Sequence, residues 1–198
     1  MSQKEMIPKN EEGIQTNTES EASFNTEEEA GRFYHTVQER LLQVNDWHER
    51  AGAATAKFQL TDEKGHDVFR EAHVGDLFKI DLPAPGTITG NGHDWVRIEA
   101  IEKSEDFTAI LVRPCPNPEN DREDVAHFFN ESATSSFVVK KIGKKVIAGV
   151  YGRNEKLNTA TEKVIDTIRN AAVAVSAMGG FSKLQWKSLV NGLVKKDA

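Results

Sequence analysis

Three short stretches of this 198-residue chain gather side chains able to do chemistry. His93-Asp94-Trp95 follows an Asn91-Gly92 reversal, which sets a histidine, a carboxylate and an indole at a sheet rim. General acid or base catalysis needs a histidine oriented by a carboxylate. Neighbours along a strand point to opposite faces, so this pair reads as a loop-tip histidine and a strand-opening aspartate. His127-Phe128-Phe129 lies in the connection from Pro114 to Ala133, far longer than ordinary loops. Asp121 is expected to cap a short helix there, with Val125, Phe128 and Phe129 on one face. It is either a lid that brings two rings to a ligand or a crossover element that packs them into the core, and the second is the default. Arg153, in the polar run Gly152-Arg153-Asn154-Glu155, is placed to grip an anionic group at a pocket mouth, against a default of a solvated strand end. Trp95, Phe128, Phe129, Arg153 and His127 are the expected ligand-binding residues.

Other reactive types are poorly placed. Cys115 sits between Pro114 and Pro116, without the helix N-terminus that would lower a thiol pKa. Glu119, Asp121 and Glu123 alternate as calcium-loop oxygens do, but the glycine such a loop requires is missing and Pro118 interrupts it. His35 with Glu39, and His48 with Glu49, fall at one helix, where a histidine serves the dipole and cap more often than a metal. No His-Glu-x-x-His, P-loop or Gly-x-Ser-x-Gly spacing occurs. No catalytic residue, metal or cofactor is therefore expected, and the reading leans against an enzyme. A hydrolase or isomerase using His93, Asp94 or His127 has the least support.

Charge and composition narrow the class. The net charge of -6 is carried by residues 1–30, with eight Glu against two Lys, so the remainder is neutral. A neutral body argues against nucleic acid, which selects a basic face. One cysteine excludes an internal disulfide and fits a reducing, cytoplasmic setting. Without an apolar run of about 18 residues, no membrane span is expected.

The elements that must position these residues follow from periodicity. Residues 1–25 are rich in Glu, Ser, Thr and Asn, and composition predicts a disordered acidic leader, with a single α+β domain over 26–198. Thr26 and Glu29 have capping-box spacing, opening a helix to about Arg50. Ala30, Phe33, Tyr34, Val37, Leu41, Val44 and His48 form its buried stripe, widened by Trp47, with Glu28, Glu39 and Arg40 outside. From Ala54 to Gly152 the period becomes two. Seven strands are expected: Ala54–Thr61, His66–Ala72, Gly75–Leu82, Asp94–Glu102, Phe107–Arg113, Thr134–Ile142 and Lys145–Gly152. Their short connections demand an antiparallel meander. Apolar residues occupy both parities, Trp95, Ile101, Phe107 and Leu111 on one and Val96, Ile98, Ile110 and Val112 on the other, so the sheet is covered on both faces or curled. Thr159 and Glu162 open a long Ala/Val-rich helix to Met178. Ser182 and Gln185 then open a last one to about Val194, with Trp186, Leu189, Val190, Leu193 and Val194 inward.

This order of helix, seven-stranded antiparallel sheet and long C-terminal helix loosely resembles the helix-grip ligand-binding domains. The resemblance covers architecture and rests on no motif. It implies an apolar cavity between the sheet and the 159–178 helix, and hence non-enzymatic binding of a small apolar or amphipathic ligand. The alternative is a protein-interaction module or homodimer using Trp186, Trp47 or the edge strands.

Overall fold

Local rules explain how the helical layer begins. The computed structural model describes residues 5–52, 56–81, 91–121, 123–156, 158 and 183–197. Helix α1, Glu27–Leu42, opens on the expected capping box: Glu29 N donates to Thr26 Oγ1 at 3.1 Å, and Thr26 N donates to Glu29 Oε2 at 3.1 Å. Three glutamates in its first turn complement the helix dipole. The helix does not continue to Arg50. It stops at Leu42, and a 3-10 turn at Val44–Asp46 leads into α2, Trp47–Ala51. The carbonyl of Leu42 accepts instead from Ala72 N, while the Asn45 amide joins Leu60 N and Val68 O at 2.7 and 2.8 Å. Arg40, expected on the outside, is buried because its guanidinium caps the last helix, donating to the carbonyls of Leu193 and Lys195 and pairing with Asp197 at 2.7 Å.

Seven strands form one antiparallel sheet in the order β1-β7-β6-β5-β4-β3-β2. They are β1 Ile14–Ser23, β2 Lys57–Thr61, β3 Leu77–Asp81, β4 Asp94–Lys103, β5 Phe107–Pro114, β6 Thr134–Ile142 and β7 Lys145–Glu155. From β2 to β7 the sheet is the expected meander, with Asn91, Gly92 and Gly143 at φ of 53°, 90° and 55° in the reversals, a region costly for most residues.

Two assignments change places. The leader is not wholly disordered, since Ile14–Ser23 pairs along β7 from Ile14↔Glu155 to Ser23↔Lys145. Polar composition hid this strand because an edge strand gains its ladder hydrogen bonds without burying much apolar surface. His66–Ala72, by contrast, is not a strand. It makes one bridge, Thr61↔Asp67, and then leaves the sheet with Phe69 80% exposed.

The two faces are filled differently. On one, Phe58, Phe78, Val96, Ile110, Phe137 and Val150 pack under α1, α2 and the helical residues 183–193. Trp47 lies at the centre, its ring centroid 4.7 Å from Phe137 and 5.3 Å from Phe58, and its Nε1 donates to the carbonyls of Arg40 and Leu41. Gly192 lets the last helix approach α2, because a Cβ there would collide with the carbonyl of Arg50. Leu189, Val190, Leu193 and Val194 face inward as expected, with Trp186 half-buried on Phe58 and Phe137. Full burial of Trp47 removes it from any partner-binding surface. The opposite face holds Phe107, Ala109, Leu111, Val138 and Tyr151 under Met6. A bulge between Ile98 and Ala100 turns Ile101 away from this face and onto the helix side, against strict alternation. The helix expected over Thr159–Met178, and the Ser182 cap, lie outside the described residues.

Candidate functional site

The connection after β5 folds back across the opening of β4. Trp95 N donates to Ala126 O at 2.8 Å, Cys115 N to Trp95 O at 3.1 Å, and Pro116 bridges Val125. No helix follows Asp121 among the described residues, because these carbonyls and amides are spent on the strand-like return. Beyond it, Asn130 N donates to Lys156 O and Asn158 N to Phe128 O, extending β7 alongside residues 128–130. Three rings thereby cluster at one end of the sheet. His127 and Phe128 have centroids 4.6 Å apart, Phe128 and Phe129 4.1 Å, and His127 and Phe129 5.8 Å. Both phenylalanines are half-buried.

Beneath the rings lies Asp94, 1% exposed. It pairs across the ladder with Ile80, so it points to the helix-covered face. Its Oδ2 accepts from Phe128 N at 3.4 Å and stands 3.8 Å from His127 Nε2. Its Oδ1 is buried with no hydrogen-bond partner among the described residues. The sequence placed this carboxylate beside His93, its chain neighbour. The imidazole that meets it comes instead from 33 positions onward, a pairing no local pattern reveals.

The His127–Asp94 pair is a buried contact rather than a hydrogen-bonded dyad. His127 Nδ1 accepts from Phe129 N at 2.9 Å, which leaves the proton of the neutral ring on Nε2, facing Asp94. Burial pushes the His127 pKa below its usual value, with the Asp94 charge acting the other way. Nδ1 is taken by that bond, while Nε2 stands 3.8 Å from Asp94 Oδ2, beyond hydrogen-bond distance. Cys115 is equally inert, since burial pushes its thiol up to about 12.

The other expected residues fall elsewhere. Trp95 is fully buried on the face opposite Asp94, in a cluster with Leu77, Cys115 and Ala126, and Lys79 Nζ lies 5.4 Å from its ring centroid. Lys79 also binds Glu119 at 2.8 Å, so that carboxylate is taken. Arg153 is 8% exposed, and its Nη1 donates to Thr16 O and Gly152 O at 2.9 and 2.7 Å. The bond to Thr16 ties β1 to β7, which a disordered leader over residues 1–25 did not foresee. Near it, Glu155 is buried beside Thr16, and desolvation pushes its carboxyl up to about 7. Tyr151 donates to Glu19 across the same strand pair. His127, Phe128 and Phe129 are thus brought together, and Trp95 and Arg153 are not part of the same surface.

No family model and no curated protein matches this chain. Among solved structures, a hypothetical protein of Helicobacter pylori is similar at a TM-score of 0.53 and 11% identity, covering 91% of this chain and 86% of that one. The fold is shared. It is α+β, a seven-stranded antiparallel sheet with helices, loosely of the helix-grip type that the order of elements suggested. A protein from Arthrobacter aurescens follows at 0.41 and 11% identity, covering 94% and 90%. A truncated norcoclaurine synthase from Thalictrum flavum gives 0.39 at 8% identity, covering 93% and 96%. At scores below 0.5 these two say nothing further about the chain. No described helix is long and apolar enough to cross a membrane.

Proposed function

We propose that this protein binds a small apolar or amphipathic ligand without chemically transforming it, and that the ligand contacts Phe128 and Phe129 at the open end of the sheet. The observation that carries the reading is the ring stack itself. Three aromatic groups lie in mutual contact on an irregular segment, Phe128 and Phe129 half-buried and His127 buried beneath them beside Asp94. Exposed aromatic surface beside a few convergent polar groups is the usual composition of a small-molecule site. What supports binding without catalysis is that His127 is buried with its Nδ1 taken by Phe129 N, and that the thiol of Cys115 is buried and held protonated.

The test is calorimetry and native mass spectrometry of the full chain across a panel of lipids and metabolites, repeated on a Phe128→Ala, Phe129→Ala variant. A bound ligand lost in the variant supports the reading. No bound member of the panel, or binding unaffected by the double substitution, overturns it.

A further inference from the structure

Asp94 raises a question of charge. An isolated buried carboxylate is costly unless it is paired and hydrogen-bonded. Both groups that approach its Oδ2, the Phe128 amide and the Nε2 side of His127, present hydrogens, so the surroundings suit an acceptor. Neither brings a full positive charge, because His127 is held neutral by burial. Lys79 and Arg113, on neighbouring strands, share the opposite face with Trp95 and pair with Glu119 and Glu99. Oδ1 is left buried with no hydrogen-bond partner among the described residues. The residue immediately above, Phe128, offers an aromatic ring, and a cation is attracted to such a face.

We propose that Asp94 is the recognition point for a protonated amine carried on an aromatic or aliphatic frame, the ammonium donating to Oδ1 while the frame lies against Phe128 and Phe129. This rests on the binding reading above and adds the ligand's charge to it. A carboxylic acid of the same shape meets like charge and is excluded. A neutral alcohol makes one uncharged hydrogen bond. The amine makes a charge-assisted one, which is about twice as strong.

Three probes with one frame separate these cases: phenylbutylamine, phenylbutanol and phenylbutyrate, titrated calorimetrically into the full chain at neutral pH. The amine is expected to bind at least about tenfold more tightly than the alcohol, and the acid most weakly. In the Asp94→Asn variant the amine is expected to fall to the level of the alcohol, while the alcohol is held as before. Amide chemical shifts at Phe128 and Phe129 should move with the amine. Equal affinity for amine and alcohol, with shift changes at Phe128 and Phe129, overturns the proposal and leaves the binding reading standing, whereas shift changes confined to another part of the sheet overturn both. Failure of all three probes and of the wider panel overturns both. The comparison of three probes is made in the wild-type chain, so it decides even where Asp94→Asn fails to fold.

Discussion

Glu155 illustrates how a single buried group ties stability to pH. The residue is 7% exposed, and burial pushes its carboxyl from 4.5 up to about 7, with Thr16 and Arg153 only partly offsetting the shift. A carboxyl with a raised folded pKa holds its proton more tightly in the native state. Below the unfolded value both states are protonated and nothing is lost. As pH rises from about 4.5 to 7 the unfolded state gives up a proton that the native state retains, and stability falls, by roughly 3 kcal/mol in all. His127 acts in the other direction. Its pKa is lowered from 6.5 by burial, so its penalty grows as pH falls below that value. Substitution separates the two: urea denaturation of Glu155→Gln at pH 5 and pH 8 should show the loss on the alkaline side largely removed, with the acid-side behaviour of His127 retained. An unchanged pH dependence would mean that Glu155 ionises without cost.

At the scale of elements, a turn adds to the burial of Met6 and the β1–β7 ladder in holding the N-terminal segment. Asn154 sits at φ of 54°, and its Oδ1 accepts from Glu11 N and Glu12 N at 2.8 and 3.2 Å. Its own amide donates to Asn10 Oδ1 at 2.7 Å. An Asn154→Gly substitution keeps the left-handed turn accessible and removes the side-chain acceptor. The expected cost is about 1–2 kcal/mol, with amide exchange accelerated at Glu11 and Glu12 and unchanged in α1. Equal exchange at these amides would show that residues 5–13, a strap leading into β1, are held without the Asn154 side chain. The same contrast explains what a reader of the sequence can see. The Thr26–Glu29 box was legible because every atom in it lies within one helical turn, and Thr26→Ala should cost α1 about 1 kcal/mol by thermal denaturation. The strand Ile14–Ser23 was not, because what makes it a strand is β7, more than a hundred residues away. The site divides in the same way. The run His127-Phe128-Phe129 was visible as a motif. The carboxylate beneath it was not, since the bend that brings residue 127 onto residue 94 is fixed by backbone bonds at Cys115 and Ala126.

Among the described residues, the sheet has unequal coverings. One face carries α1, α2 and the last helix over a cluster of interlocked aromatics; the other is closed around Phe107, Leu111, Val138 and Tyr151 by Met6, whose carbonyl accepts from Ser136 Oγ at 2.6 Å. The strap and β1 are one continuous stretch, so they protect two things at once, an apolar patch and the exposed edge of β7. A chain lacking residues 1–23 would lose both. An unpaired edge strand offers a row of free N–H and C=O groups, and an uncovered apolar patch seeks a partner. The helical face should survive, because Trp47, Phe58, Phe78 and Phe137 make their contacts without the N-terminal segment. Sedimentation velocity over a concentration series should therefore show the shortened chain associating where the full chain does not, with helical circular dichroism preserved. If the shortened chain stays monomeric and melts at the temperature of the full one, the strap and β1 contribute nothing to the fold. If the full chain already associates to the same degree, self-association is a property of another surface, and exposed Phe69 and Val74 become the residues to substitute next.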